Sequence, residues 1–337
     1  MKKSKVTIYD IARELNVAPS TISRSIAGSD LISDEVKEKV RAKAIEMGYS
    51  SRNFRVNDAD SIAIVVPELN NYFYSKILAG IQQKINNKYL VSIFCSYNSI
   101  DIEKEIVSKL SPSQFGCLII SQSMDARDSS HIALAEKKGI PIIMMNRVDY
   151  DYECPKFVID NYMDSYLLTN HLVSSGYRRI TFAAKHFNCL IYKERLQAYK
   201  DVLLENNIPL NENYIIYSEL TYEDINEVVL RFFNLSPRPD AFILPGFSAA
   251  LQAISIAKVY NIEIPNEMAI VSFDEDPECK YLSPSITSIE RPLTEIGNKI
   301  GELVLSICSK KTYNKNKLNV FKSNLIIRGS SLKLGSN

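Results

Sequence analysis

The chain has 337 residues, 46% of them hydrophobic and 23% charged, with a formal net charge of +1. That length calls for more than one domain of ~100–200 residues, and the composition is that of a globular protein. No apolar run approaches the ~18 residues of a membrane span, and the basic start MKKSKVTIYD lacks the apolar stretch of a secretion signal, so membrane and secreted classes are excluded and a cytoplasmic protein is expected.

The charge is uneven. Residues 1–56 carry eleven Lys/Arg against seven Asp/Glu, leaving 29 against 32 in the remainder: a modestly basic head on a slightly acidic body. The head opens with TIYDIARELNVAPSTISRSI. Thr7 with Asp10 three residues on predicts a capping box. Ile8, Ile11, Ala12 and Leu15 then fall at helical spacing. Asn16-Val17 breaks the pattern, and Pro19 suits the first turn of a second helix. On that helix Ile22 and Ile26 face inward, while Ser20, Ser23, Arg24 and Ala27 form the opposite face. A short polar face with one arginine suits a DNA major groove, where Arg donates two hydrogen bonds to guanine. A third helix follows, with Ser33 as cap, Asp34 and Glu35 in its first turn, and Val36, Val40, Ala44 and Met47 down one side to Gly48.

Residues 7–49 resemble the DNA-binding headpiece of the LacI/GalR family of bacterial transcription regulators. The T-I-x-D-[IV]-A opening, the T-[IV]-S-R core and the closing [ML]-G-Y match in register. Later stretches extend the likeness: IAIVVPELNNYFY, IDNYMDSYLLTNHLVSSGYRRI, KERLQAYKDVL, IPNEMAIVSFDEDP and SITSIERPLTEIG. The resemblance implies an all-α helix-turn-helix headpiece (1–48), a linker (49–61) and an α/β periplasmic-binding-protein-like domain (62–333) of two doubly wound parallel-sheet lobes. It also implies three crossings between lobes, near 160, 290 and 321. The first lobe takes 62–160 and 291–320, the second 161–290 and 321–333. In the family, the linker carries a hinge helix that wedges a leucine into the minor groove. Here YSSRNFRVNDADS is shorter and lacks N-A-x-A-R-x-L, so Arg52 and Arg55 are expected to touch phosphates, with Phe54 or Val56 as alternative wedges. Ser20 and Arg24 are expected to read bases, with Pro19 against the groove. Tyr9, Thr21, Ser23, Ser33 and Lys37 position phosphates.

The body alternates. Buried strands are predicted at 62–66, 90–94, 117–121 and 140–145, with helices at 75–88, 101–110 and 128–138. The alternation continues through helix 162–175, strand 179–184, helix 192–206, strand 214–217, helix 223–234, strand 241–244, helix 248–260 and strand 268–273, with a last strand at 323–329. This pattern argues for parallel sheets covered on both faces.

In such sheets ligands bind beyond the carboxyl ends of strands. The residues there include Asn71–Tyr74, Gln122, Ser123, Asn146, Arg147, Asp160, Asn161, Gly246, Phe247 and Asp274, with Arg195 early in a helix. Aromatic rings beside Asp, Asn and Arg suit a small polyhydroxy ligand. The family's patterns N-P-F-F, D-R, R-L-x-G-[YWF] and G-F-D-D match Phe73, Arg147, Arg195 and Asp274. The expected effector set is Phe73, Asn146, Arg147, Asp160, Arg195, Phe247 and Asp274. Two departures stand out: Pro245-Gly246-Phe247 replaces the family's A-N-D, and Tyr72 replaces its proline. A less polar ligand, a phosphorylated sugar, or a pocket without an effector are the alternatives they raise.

No GxGxxG, GxxxxGK[ST] or GxSxG occurs, and His131, His171 and His186 have no activated nucleophile nearby, so no enzyme is expected. The six cysteines form no CxxC, and His186 with Cys189 lacks a second pair, so neither a disulfide framework, a metal nor another cofactor is expected. The expected protein is a homodimeric repressor, binding a near-palindromic double-stranded DNA operator under control of a small molecule, carbohydrate by preference.

Overall fold

The computed structural model of the chain describes residues 6–26, 29, 31–47, 49, 61–86, 88–184, 189–218 and 222–332. The head holds three helices: α1 (Ile8–Leu15), α2 (Pro19–Ile26) and α3 (Asp34–Glu46). Asp10 accepts hydrogen bonds from the Thr7 backbone N–H at 2.8 Å and its hydroxyl at 2.7 Å, so the first helix is capped as its sequence requires. Asn16 takes φ 52°, the left-handed conformation that ends α1 and turns the chain into α2. Ile11, Ala12, Ile22, Val40 and Ala44 form the core, with Val36, Ile26 and Met47 packed against it.

The first lobe begins with β1 (Ser61–Val66), α4 (Tyr72–Ile85), β2 (Leu90–Cys95), α5 (Ile100–Lys109), β3 (Phe115–Ile120), α6 (Ser130–Lys137), β4 (Ile142–Met145) and β5 (Lys156–Ile159). The second takes α7 (Asn161–Ser174), β6 (Ile180–Ala184), α8 (Leu190–Glu205), β7 (Ile215–Tyr217), α9 (Tyr222–Phe233), β8 (Ala241–Leu244), α10 (Phe247–Val259), β9 (Ala269–Ser272) and β10 (Thr287–Glu290). The chain then returns to the first lobe through α11 (Leu293–Cys308) and β11 (Leu318–Phe321), and ends in the second with β12 (Asn324–Ile326). The sheet orders are β11-β5-β4-β3-β1-β2 and β12-β10-β9-β8-β6-β7. Every pairing is parallel except β10 with β12. Among the described residues no helix is long and apolar enough to cross a membrane.

Four local expectations need correction. The 90–94 strand is not buried: β2 is the outer edge of its sheet, leaving Leu90 70% and Ile93 43% exposed. The helix expected from Ser75 starts three residues earlier, because the Asn71 side chain accepts the Phe73 N–H at 2.8 Å and caps it. Phe321 pairs with Ile159, so the first lobe extends one residue past its expected bound at 320. The final strand spans only 324–326 and is antiparallel.

Helices α4 and α11 approach closely enough that a Cβ on Gly297 would lie 2.2 Å from the Ile77 carbonyl oxygen. That contact fixes the start of α4, with Phe73, against the segment entering α11, with Arg291. The Arg291 guanidinium lies 5.7 Å from the Phe73 ring.

Candidate functional site

The head presents its polar residues over a small apolar core. Ser20, Ser23 and Arg24 on α2 are exposed, as are Tyr9 on α1 and Ser33 just before α3. Pro19, Thr21 and Lys37 are half-buried. Beneath them Ile22 is fully buried and Ser25 is 8% exposed, its hydroxyl without a hydrogen-bond partner among the described residues. The inward face of α2 therefore includes Ser25, which the apolar pattern did not reveal. Arg52, Arg55, Ala27, Gly28, Gly48 and the candidate wedges Phe54 and Val56 lie outside the described residues.

In the body, the residues expected to hold a ligand converge on the cleft between the two sheets but do not share one cavity. Phe73 and Asp274 line a space of about 200 Å³ with Tyr72, Lys76, Asp276 and Arg291. Asn146 and Arg147 line a second, of about 170 Å³, with Gln122, Ser123, Tyr150, Asn161 and Glu194. Each is below the ~300–1,000 Å³ usual for pockets that enclose a drug-sized ligand.

Arg195 is 7% exposed. Its guanidinium lies 4.2 Å from the Phe273 ring and 5.7 Å from the Tyr192 ring, and it donates to Asn161 Oδ1 at 3.4 Å. Its Nε has no partner among the described residues. Burial, followed by the nearby charge of Arg291, pushes its pKa down.

Asp274 is not an open ligand group here. Arg291 donates to it at 2.5 Å and to Asp164 at 3.2 Å. Burial works against the charge on Arg291, but the two carboxylates outweigh it and raise its pKa. Asp160 is likewise occupied: its Oδ1 accepts the Met163 N–H at 3.0 Å and caps α7. Phe247 opens α10 and packs on the second-lobe core. Asn146, with φ 60°, donates to the Tyr74 hydroxyl at 3.0 Å, and Tyr74 meets Ser121 at 2.9 Å. Arg147 donates to Asn98, whose amide reaches Glu68 at 3.1 Å.

Gly246 has a steric reason. A Cβ there would lie 2.8 Å from Asp274 Oδ2, a carboxylate already held by Arg291. The glycine that replaces the family's polar residue therefore makes room for this ion pair.

Sequence reasoning missed Arg291, Asp164, Tyr192 and Glu194. Arg291 was findable: it directly follows β10, so the same strand-end rule would have named it had 287–290 been read as a strand. Asp164, four residues after Asp160 on α7, is 1% exposed; its burial depends on a partner 127 residues away and has no local signal.

The profile described as bacterial regulatory proteins, lacI family, matches residues 7–52, and that of a periplasmic binding protein-like domain matches residues 169–331. A ribose operon repressor of Haemophilus influenzae is 27% identical over 333 residues, covering 97% of this chain and 99% of that protein. Among solved structures, a transcriptional regulator CelR–cellobiose complex superposes with a TM-score of 0.72 at 22% identity, over 97% of this chain and 100% of that one. A lac repressor dimer bound to operator and the anti-inducer ONPF gives 0.70 at 19% identity, over 98% and 100%.

Proposed function

The chain belongs to the LacI family of DNA-binding transcription repressors, and from that premise we propose that it binds a near-palindromic operator as a homodimer under the control of a sugar or sugar derivative held between its two lobes. Two heads are needed because three short helices reach few phosphates, and pairing them multiplies both affinity and discrimination. Arg24 and Ser20 read base edges in the major groove, with Pro19 against the groove floor. Tyr9, Thr21, Ser23, Ser33 and Lys37 hold the backbone, and Arg52 and Arg55 of the linker add phosphate contacts. The protein works in the cytoplasm, where its DNA is.

The effector assignment is carried by one observation: a buried arginine, Arg195, whose Nε–H has no partner among the described residues, set between aromatic rings at the carboxyl ends of the second sheet. An unmet buried donor costs ~1–3 kcal/mol, more when charged, and a ligand that accepts from it recovers that cost. Cellobiose, bound in the superposed CelR complex, is a ligand of this general kind. A ligand that binds one lobe arrangement better than another shifts the spacing of the two heads and so the affinity for operator. Selecting operator DNA from a random pool with the purified chain, then repeating the selection with and without sugars, tests both halves of the assignment. Recovery of no enriched near-palindrome would contradict the first half, and enrichment indifferent to every sugar the second.

A further inference from the structure

Six free cysteines are spread over the body, and two of them meet. Cys117 lies within β3, 0% exposed, on the face that α11 covers with Ile300, Val304 and Ile307. Cys308 is the last residue of α11, half-buried, and packs on the same core. The Cys117 thiol is hydrogen-bonded to Cys308. The other four cysteines lie elsewhere. Cys95 donates to the Pro67 carbonyl at 3.4 Å, and Cys154 belongs to the cluster on the opposite face of the sheet. Cys189 precedes α8, and Cys279 sits in the second-lobe core.

The two thiols of the pair are unequal. The hydrogen bond to Cys308, then burial, push the Cys117 thiol up, so it keeps its proton. Cys308 meets solvent and is the sulfur that a reagent reaches first, with Cys117 directly behind it. Bonded sulfurs stand ~2 Å apart, so the pair must close by a small shift. Cys308 is placed to make it. Ser309 caps α11 and Lys310, with φ 55°, turns the chain away, and a helix end yields more readily than a helix centre.

We propose that Cys308 and Cys117 form a reversible disulfide that straps the end of α11 to the first sheet, a modification site away from the cleft. The oxidant is a low-molecular-weight disulfide. The Cys308 thiolate attacks one of its sulfurs, the S–S bond breaks, and one small thiolate leaves with a mixed disulfide formed on Cys308. Cys117 then attacks the Cys308 sulfur as its proton passes to solvent, breaks the mixed bond and releases the second small thiolate. Two protein thiols are oxidised, one small disulfide is reduced to two thiols, and excess reductant reverses both steps. In a reducing compartment such a bond responds to oxidant rather than serving as a permanent staple. Through α11, which lies against α4 at Gly297, the strap stiffens the helix pair whose leading ends carry Phe73 and Arg291.

The test incubates the native full-length protein with oxidised glutathione, blocks the remaining thiols and maps the peptides by mass spectrometry. The parent should yield one predominant cross-link, the Cys117 peptide joined to the Cys308 peptide with the loss of two hydrogens, and dithiothreitol should reverse it. Cys117→Ala should stop at the mixed disulfide on Cys308. Cys308→Ser should leave Cys117 unreacted, and a mixed disulfide on Cys117 in that variant would overturn the order of attack. A parent that stops at the mixed disulfide, stays fully reduced, or links either cysteine to a different one overturns the proposal. The oxidised parent should also melt at a higher temperature than the reduced one. A lower melting temperature would show that the bond forms only by breaking the fold, and would overturn the strap.

Discussion

Arg291 holds Asp274 at 2.5 Å, and through this pair the segment that re-enters the first lobe grips the end of β9 in the second. The same guanidinium reaches Asp164 at 3.2 Å and lies beside Phe73 of the first lobe, so one side chain ties together residues from three separate stretches. Replacing it leaves Asp164, 1% exposed, as a buried carboxylate without its cation. Arg291→Ala should cost about 3 kcal/mol or more of unfolding free energy, measured by urea denaturation. A loss below about 1 kcal/mol would mean that the pair contributes no more than an exposed ion pair.

Gly246 follows from that pair. Gly246→Asn restores the family's polar residue but drives a Cβ to 2.8 Å from Asp274 Oδ2. The carboxylate must move or loosen from Arg291. The variant should lose about 1–3 kcal/mol of stability, as overpacking usually costs. In an Asp274→Ala background the same substitution should cost little further, because the obstacle is then gone.

The head separates into an exposed polar face, proposed to read DNA, and a core, and two substitutions on α2 should behave oppositely. Arg24→Ala removes an exposed side chain, so the melting temperature should hold while discrimination at one operator position falls by about 1–3 kcal/mol in competition gel shifts. Ile22→Ala opens the centre of the small core and should cost about 2–5 kcal/mol of head stability. Unchanged selectivity in the Arg24 variant would remove that residue from the base-reading role.

Asp276 gives the cleft a pH signature. Burial first, then Asp274, Glu278 and Glu275, push its carboxyl up to about 6. A raised carboxyl binds its proton more tightly in the folded state, so its stabilising contribution is present below the ordinary carboxylate range and is lost as pH rises from about 4 to 6. Asp276→Asn should therefore stabilise the protein at pH 7, by on the order of 1 kcal/mol once solvent screening of this half-buried group is counted, and the gain should vanish near pH 4. Melting curves across that window check the sign. A variant less stable than the parent at pH 7 would refute it.

How far the sequence foretold this molecule depended on how local each signal was. Thr7 with Asp10 caps α1 across three residues, and the continuous apolar run at 62–66 is a strand buried on both faces, because both patterns are set by neighbours in the chain. LVSIF at 90–94 looks equally apolar, yet it is an edge strand; position in a sheet is decided by strand order, which its own residues do not encode. In the cleft, strand ends pointed to Phe73, Asn146, Arg147 and Asp274, while Asp160 proved to be a helix cap, a role that any aspartate before a helix can take. Asp164 was hidden because its burial has meaning only through Arg291, 127 residues away, whereas Arg291 follows from the strand-end rule once 287–290 is read as a strand.

The central claim is that a ligand in the cleft changes the grip of the heads on DNA. It is tested most directly by measuring the affinity for a selected operator by fluorescence anisotropy, with and without a sugar or sugar phosphate already shown to bind, in the parent protein and in Arg195→Met. Saturating ligand should shift the parent's operator affinity by roughly 5–150-fold, a coupling of ~1–3 kcal/mol, and leave the variant's unchanged. Identical operator affinity in the parent at saturating bound ligand would contradict the account.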